Sequence, residues 1–334
     1  MSYPRKQPAY NGLTLGSRHT QDLRLWTAQA TRGTMVNMTL TTIVSGIDPS
    51  PLAHSALRWS RDLADCTNAT LRVVGVWQMP LIGLLPLPLD GLPTPEFMAE
   101  QCSTMIQSTI EETGTAPEEV LCLEGKPGPT LVEVAADASL LVVGRTGQGK
   151  RRGLSRFAEV MLGSTARHCV HHSEIPVATL PAEAQWPQSK PVAVVGLDGS
   201  PNSVHALEWA LAALPADTSF HIVRAFTPWL GDGLTPLDLV NDATLISTFQ
   251  VETAGWVDAA VSRVGAQLTY DPEVHVTIGG GIEALLGSDL QPDVIVVGER
   301  GHTGISAKVL GSVADHVVRH APCPVVVVPL PVAT

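Results

Sequence analysis

The sequence predicts an α/β protein of two tandem domains, each an open, mostly parallel, doubly wound sheet, with the pair related by a pseudo-twofold axis. Three observations carry this prediction. The chain has 334 residues, enough for two cores of ordinary size. A long internal repeat divides it. Within each repeat, short apolar runs alternate with helical segments, the pattern of strands joined by crossover helices.

The repeat is visible at both ends of each copy. TTIVSGIDPSPLAHSALRW, Thr41–Trp59, aligns with PVAVVGLDGSPNSVHALEW, Pro191–Trp209, at a constant offset of 150. RHCVHHSEIPVATLP, Arg167–Pro181, aligns with DHVVRHAPCPVVVVP, Asp315–Pro329, at an offset of 148. Two long matches in the same order mark a duplication. They place an irregular N-terminal extension over 1–38, a first domain over 39–181, a linker over 182–190 within the Pro-, Ala- and Gln-rich stretch Pro181–Pro191, and a second domain over 191–334.

In the second copy, Val192–Gly196 is a short apolar run that reads as a buried strand. Asp198 to Ser203 supplies turn and N-cap chemistry. Val204–Leu214 follows as a helix with Ala, Leu and Trp on one face. His221–Phe226 is the next strand, Thr244–Val264 a long helix, Glu273–Ile278 a strand and Ile282–Leu290 a short helix. Asp293–Val297, Gly311–His320 and Val325–Val328 close the copy as strand, helix and strand. The runs VIVV and VVVV suit strands buried on both faces. The first copy follows the same order. Trp59 and Trp209 fall at equivalent helix positions and read as core packing against the sheet. The last strands, Val177–Leu180 and Val325–Val328, are where the copies are expected to meet as an intramolecular pseudo-dimer. Full homodimers follow from the same sheet-edge logic.

Composition narrows the function. The net charge is −11 with no broad basic patch, which argues against nucleic acid as a partner. A small anion remains compatible, because main-chain N–H groups hold phosphate without basic side chains. The five cysteines, Cys66, Cys102, Cys122, Cys169 and Cys323, are scattered and read as apolar fillers in a reducing compartment. There is no apolar window long enough to cross a membrane and no apolar signal core near the N-terminus. The expectation is a cytoplasmic protein with no membrane partner.

Ligands of open parallel sheets bind at the carboxyl ends of the strands, where connections diverge. Two segments per copy reach that edge. One is the turn after the first strand, with Asp48 or Asp198 followed by Gly199. The other is the loop after the fourth strand, VVGERGHTGISAKVLGSV in the second copy. There Gly298, Gly301, Gly304 and Gly311 crowd one connection, and Gly311, Ser312 and Val313 open a helix whose free N–H groups and dipole favour phosphate. Glycines alone serve a tight loop and a phosphate cradle equally well.

The spacing Gly298-x2-Gly301-x9-Gly311-Ser312, the opening VVGLDGSPNSVHALEWA and the ending HAPCPVVVVP together resemble the ATP-binding universal stress proteins. The resemblance spans 41–181 and 191–330. It implies a Rossmann-like fold of the adenine nucleotide alpha hydrolase type, and ATP, with or without Mg2+, as cofactor. It places Asp198 at the ribose and Gly298, Gly301, Gly311, Ser312 and Val313 at the phosphates, with Gly199 and Arg300 also among the nucleotide-binding residues. It places a contact to adenine near Val223 and Ala225. In the first copy it points to Asp48, Gly144, Gly147, Gly163, Ser164 and Thr165. That copy departs from the pattern: fifteen residues, against nine, separate Gly147 from Gly163, and Lys150, Arg151, Arg152 and Arg156 fall in the longer loop. The insertion reads either as a basic flap over a triphosphate or as a solvated loop that weakens the site.

Other motifs fail on mechanism. Gly144-x4-Gly149-Lys150 lacks the Ser or Thr a P-loop needs for Mg2+, since Arg151 follows. His171 and His172 diverge on a helix, and His316 with His320 reads as a solvated face or a partner of the helix dipole. No Ser-His-Asp order, nucleophile elbow or acid/base carboxylate pair is present. The leading expectation is a regulatory, nucleotide-binding stress-response protein with an unidentified protein partner, acting through nucleotide-dependent conformation. The alternatives are a slow ATPase or nucleotidyl-transfer enzyme and a nucleotide-free scaffold.

Overall fold

The computed structural model describes residues 38–79, 93–146, 162–226, 243–287, 289–301 and 310–331. The N-terminal extension, Gly147, the basic residues Lys150 to Arg156, and Gly304 lie outside them.

In the first half, β1 (Thr42–Ile47), α1 (Leu52–Thr67), β2 (Thr70–Trp77), α2 (Pro95–Thr113), β3 (Glu119–Glu124), α3 (Pro127–Val134), β4 (Leu140–Gly144), α4 (Ser164–His172) and β5 (Val177–Leu180) follow one another. The second half repeats the order: β6 (Val192–Gly196), α5 (Pro201–Ala213), β7 (Ser219–Phe226), α6 (Ala243–Val264), β8 (Glu273–Ile278), α7 (Gly281–Leu286), β9 (Val294–Gly298), α8 (Ser312–His320) and β10 (Val325–Val328). The helix expected over Ile282–Leu290 is shorter than its apolar pattern suggests. Gly287 ends it, with its N–H donating to the Glu283 carbonyl at 2.8 Å.

All ten strands join one sheet in the order β3-β2-β1-β4-β5-β10-β9-β6-β7-β8. Every pairing within a half is parallel, as in β1 with β4 (Ile43 beside Leu140) and β6 with β9 (Ala193 beside Val294). The halves meet where β5 and β10 run antiparallel, Val325 opposite Thr179 and Val327 opposite Val177. This reversal makes the second half a twofold image of the first. All eight residues of the two strands are buried. Full burial of a Val side chain is worth about 1.5–3 kcal/mol, so the four valines of β10 form a strong hydrophobic seam.

On one face, α3 and α4 of the first half and α7 and α8 of the second cover a single apolar core. It runs from Val44 and Leu141 through Val177 and Val325 to Val194 and Ile295. The opposite face holds α1, α2, α5 and α6, with Trp59 and Trp209 buried as their positions predict. The connection between the halves is pinned on that face. Trp186 is buried and meets Trp59 edge to face, ring centroids 5.5 Å apart. Trp186→Ala is therefore expected to lower the unfolding free energy by about 3 kcal/mol or more. A chemical denaturation midpoint equal to wild type would show that the linker is not anchored there.

Candidate functional site

Within each half, β1 connects outward to β2 while β4 lies on its other side, and β6 and β9 repeat this. The carboxyl ends of these two strands are the topological switch point, where the chain leaves in opposite directions and opens a crevice. Asp48 and Gly144 flank it in the first half, Asp198 and Gly298 in the second.

The Asp198 turn is held by its own hydrogen bonds. Oδ1 of Asp198 accepts from the Ser200 N–H at 2.9 Å, and the Ser200 hydroxyl caps α5 by accepting from the Ser203 N–H at 3.2 Å. Gly199 takes φ +85°, and a Cβ there would run into the Trp256 ring. The glycine loop closes directly over this turn: a Cβ on Gly301 would lie 2.6 Å from Oδ2 of Asp198, and one on Gly298 would lie 2.9 Å from the Asn202 carbonyl. The glycines thus have a physical reason that does not depend on a ligand. They let two backbone segments touch across the switch point.

The start of α8 is the open part of the site. Gly311 occupies the N-cap position and supplies no side-chain cap. The expectation that its amide faces an anion is corrected: the Gly311 N–H donates to the Glu299 carbonyl at 2.8 Å, closing the loop on itself. The first intrahelical bond is Asp315 N–H to the Gly311 carbonyl, 2.9 Å. The amides of Ser312, Val313 and Ala314 therefore have no intrahelical acceptor, and Ser312 is exposed. Behind Gly298, Asn202 is buried, and among the described residues neither of its side-chain amide atoms has a hydrogen-bond partner. Arg300 is half-buried and donates to Oε1 of Glu299 at 2.9 Å.

At the end of β7, Val223 is buried in the core beneath α7, and its carbonyl accepts from the Leu197 N–H at 3.0 Å. Ala225, two residues on, stays half-buried and is the accessible member of the predicted pair. Between them Arg224 turns to the other face. Its guanidinium lies 4.3 Å from the Trp256 ring and 4.6 Å from the Phe249 ring, and bonds Glu252 at 2.8 Å and Thr253 at 3.0 Å. Sequence reasoning missed this α6 contribution, because Trp256 follows no motif and is placed only by the packing of α6 on α5.

The first half repeats the frame with different chemistry. Asp48 accepts from the Ser50 N–H at 3.1 Å and also from the Ser50 hydroxyl, so Ser50 serves the turn and does not cap α1. Gly163 is the N-cap of α4, its N–H donating to the Arg145 carbonyl at 2.8 Å, and Ser164 and Thr165 begin the helix without a side-chain cap. Behind Gly144 stands Leu52, where the second half has Asn202. Arg145, the counterpart of Glu299, is buried and crosses the seam. Its guanidinium donates to the Cys323 carbonyl at 3.2 Å and to the Arg319 carbonyl at 3.4 Å, beside the C-terminal end of α8.

This architecture, a tandem pair of open parallel sheets each with a glycine-lined switch point, defines the class of α/β protein. The family model of the universal stress protein family matches residues 39–181 and again 192–329, and the chain belongs to that family. The universal stress protein Rv1996 of Mycobacterium tuberculosis (strain ATCC 25618 / H37Rv) is 28% identical over 318 residues, covering 86% of this chain and 95% of its own. The crystal structure of a universal stress protein from Archaeoglobus fulgidus DSM 4304 covers 86% of this chain and 98% of its own, with 20% identity and a TM-score of 0.56. A universal stress protein from Archaeoglobus fulgidus in complex with dAMP covers 42% of this chain and 96% of its own, with 25% identity and a TM-score of 0.28. Among the described residues no helix is long and apolar enough to cross a membrane.

This geometry sets two expected outcomes. Gly199→Ala forces a side chain into a left-handed backbone and the Trp256 ring, and is expected to cost about 1–3 kcal/mol of stability by chemical denaturation. On α8, the Arg319 hydrogen bond holds the Asp315 carboxyl below its ordinary value. A carboxyl lowered in the folded state adds stability above the ordinary aspartate range, and that contribution is lost as pH falls through its folded value. Asp315→Asn should therefore lower the unfolding midpoint near neutrality and lose that effect in strong acid; a pH-independent difference would refute the linkage.

Proposed function

We propose that the switch point of the second half binds an adenine nucleotide, ATP in the first instance, and that the protein is a cytoplasmic regulator of the stress response whose conformation or partner binding follows nucleotide occupancy. The observation that carries this is the uncapped start of α8 facing the crevice in which the Asp198 turn and the glycine loop touch. Three amides without an intrahelical acceptor, at the positive end of a helix dipole, form a receptor for phosphate that needs no basic side chain. This suits a chain with a net charge of −11.

In this reading Ser312 and Val313, with the Ser312 hydroxyl, hold the phosphates. Gly298, Gly301 and Gly311 keep the loop low enough for a ligand to reach them. Asp198 and Gly199 take the ribose, Ala225 borders the base, and Arg300 sits beside the phosphates. The orphaned Asn202 amide gives this crevice a polar floor that the first half lacks at Leu52. Seam strands β5 and β10 are used internally, so a homodimer of the whole chain would form at the outer edges, β3 or β8. The regulatory step is a population shift: nucleotide favours the closed loop, and a protein partner reads that closure.

Ser312→Glu tests the proposal. An acidic residue in the first turn of a helix is favourable by about 0.3–1 kcal/mol, so thermal stability should hold or rise. The same charge repels a phosphate, and ATP affinity by calorimetry should fall at least about tenfold, equivalent to about 1.4 kcal/mol. Unchanged affinity in this variant and in Asp198→Ala would overturn the assignment.

A further inference from the structure

The outer edge of the second half carries a cluster that the nucleotide site does not use. His221 of β7 is paired with Glu273 of β8, and His275 lies two residues further along β8. Alternation along the strand puts Glu273 and His275 on one face, the face of His221. Nδ1 of His221 is 2.9 Å from Nε2 of His275, and Oε2 of Glu273 lies 3.7 and 3.8 Å from those two nitrogens. Among the described residues, no other group of three His, Cys, Asp or Glu brings its ligand atoms so close, all within 4.8 Å of one another.

From this convergence we infer that His221, Glu273 and His275 form a binding site for a divalent transition-metal ion of the Zn2+ class, unrelated to the nucleotide crevice. A tetrahedral zinc centre with N and O ligands places neighbouring ligand atoms about 3.3 Å apart, so the separations here straddle that value and close with small side-chain rotations. Two imidazoles and one carboxylate suit Zn2+, with Ni2+ and Cu2+ as competitors; Mg2+ and Ca2+ require more oxygen. The second ring nitrogen of His221 lies 3.4 Å from the Ser219 hydroxyl, the outer-shell contact that orients a ligating imidazole. Glu273 is exposed and His275 partly so, leaving one side open for entry and for a water as fourth ligand.

The duplication supplies an internal control. The equivalent positions of the first half hold Arg72, Glu119 and Leu121, paired across β2 and β3 in the same register. There the Arg72 guanidinium bridges Glu119 and Asp137. A fixed cation thus neutralises the carboxylate in the first half. In the second half the arginine is a histidine, the leucine is a second histidine, and the carboxylate faces two lone-pair donors. A bound metal supplies the charge the guanidinium supplies in the other half, and clips edge strand β8 to β7.

The test uses the full-length untagged chain, stripped with chelator and titrated with Zn2+ by calorimetry and with Co2+ by visible absorption. One metal per chain and the intense d–d bands of tetrahedral Co2+ are expected. His275→Leu and His221→Arg install the first-half residues, which β2 and β3 already accommodate, and should remove the bands. Ser219→Ala should weaken binding about tenfold. If circular dichroism shows either variant misfolded, His275→Gln is read in its place. Absence of the bands in the wild type, or their persistence in the ligand variants, overturns the site.

Discussion

The ladder between β5 and β10 runs antiparallel inside an otherwise parallel sheet, and that reversal governs the rest of the architecture. Five strands open at one end would leave a hydrophobic inner edge in each half. Joined, they make a ten-stranded sheet whose apolar core is continuous across the seam. The reversal also turns the second half about a twofold axis relative to the first. Arg145 reaches the carbonyl groups of the other half only because the seam brings the end of β4 beside the end of α8.

The strand ends show how a backbone requirement and the proposed binding role would share the same residues. Gly298, Gly301 and Gly311 are needed so that two loops can meet, and the sequence pattern alone does not separate that role from phosphate binding. The difference comes from amide bookkeeping. Gly311 commits its N–H to Glu299, whereas the amides of the next three residues have no intrahelical acceptor. A glycine-rich spacing therefore marks the place, and hydrogen-bond satisfaction marks the atoms.

The order and type of the elements were legible because each rests on a local signal: apolar runs for strands buried on both faces, helical patterns between them, and a repeat that tests every assignment twice. The seam strands followed from the same reasoning. Side-chain environments at the ends of strands were not legible. Val223 and Ala225 look interchangeable in sequence and share one face of β7, yet Val223 lies within the core and is buried, while Ala225, nearer the carboxyl end of the strand, stays half-buried. Trp256, Asn202 and Arg145 follow no spacing rule, and their roles come from elements distant in the chain. His221, Glu273 and His275 belong to the same category, although aligning them with Arg72, Glu119 and Leu121 exposes the substitution.

Because both halves belong to one polypeptide, each molecule brings its own partner. Dilution cannot separate the two, and subunits cannot be traded with other proteins built on the same sheet. Such permanence also frees the halves from having to match. A symmetric pair of identical subunits must place the same residue on both sides of its axis; this chain sets Arg145 against Glu299, and Leu52 against Asn202. Covalent continuity thus allows the two crevices to be lined by different residues.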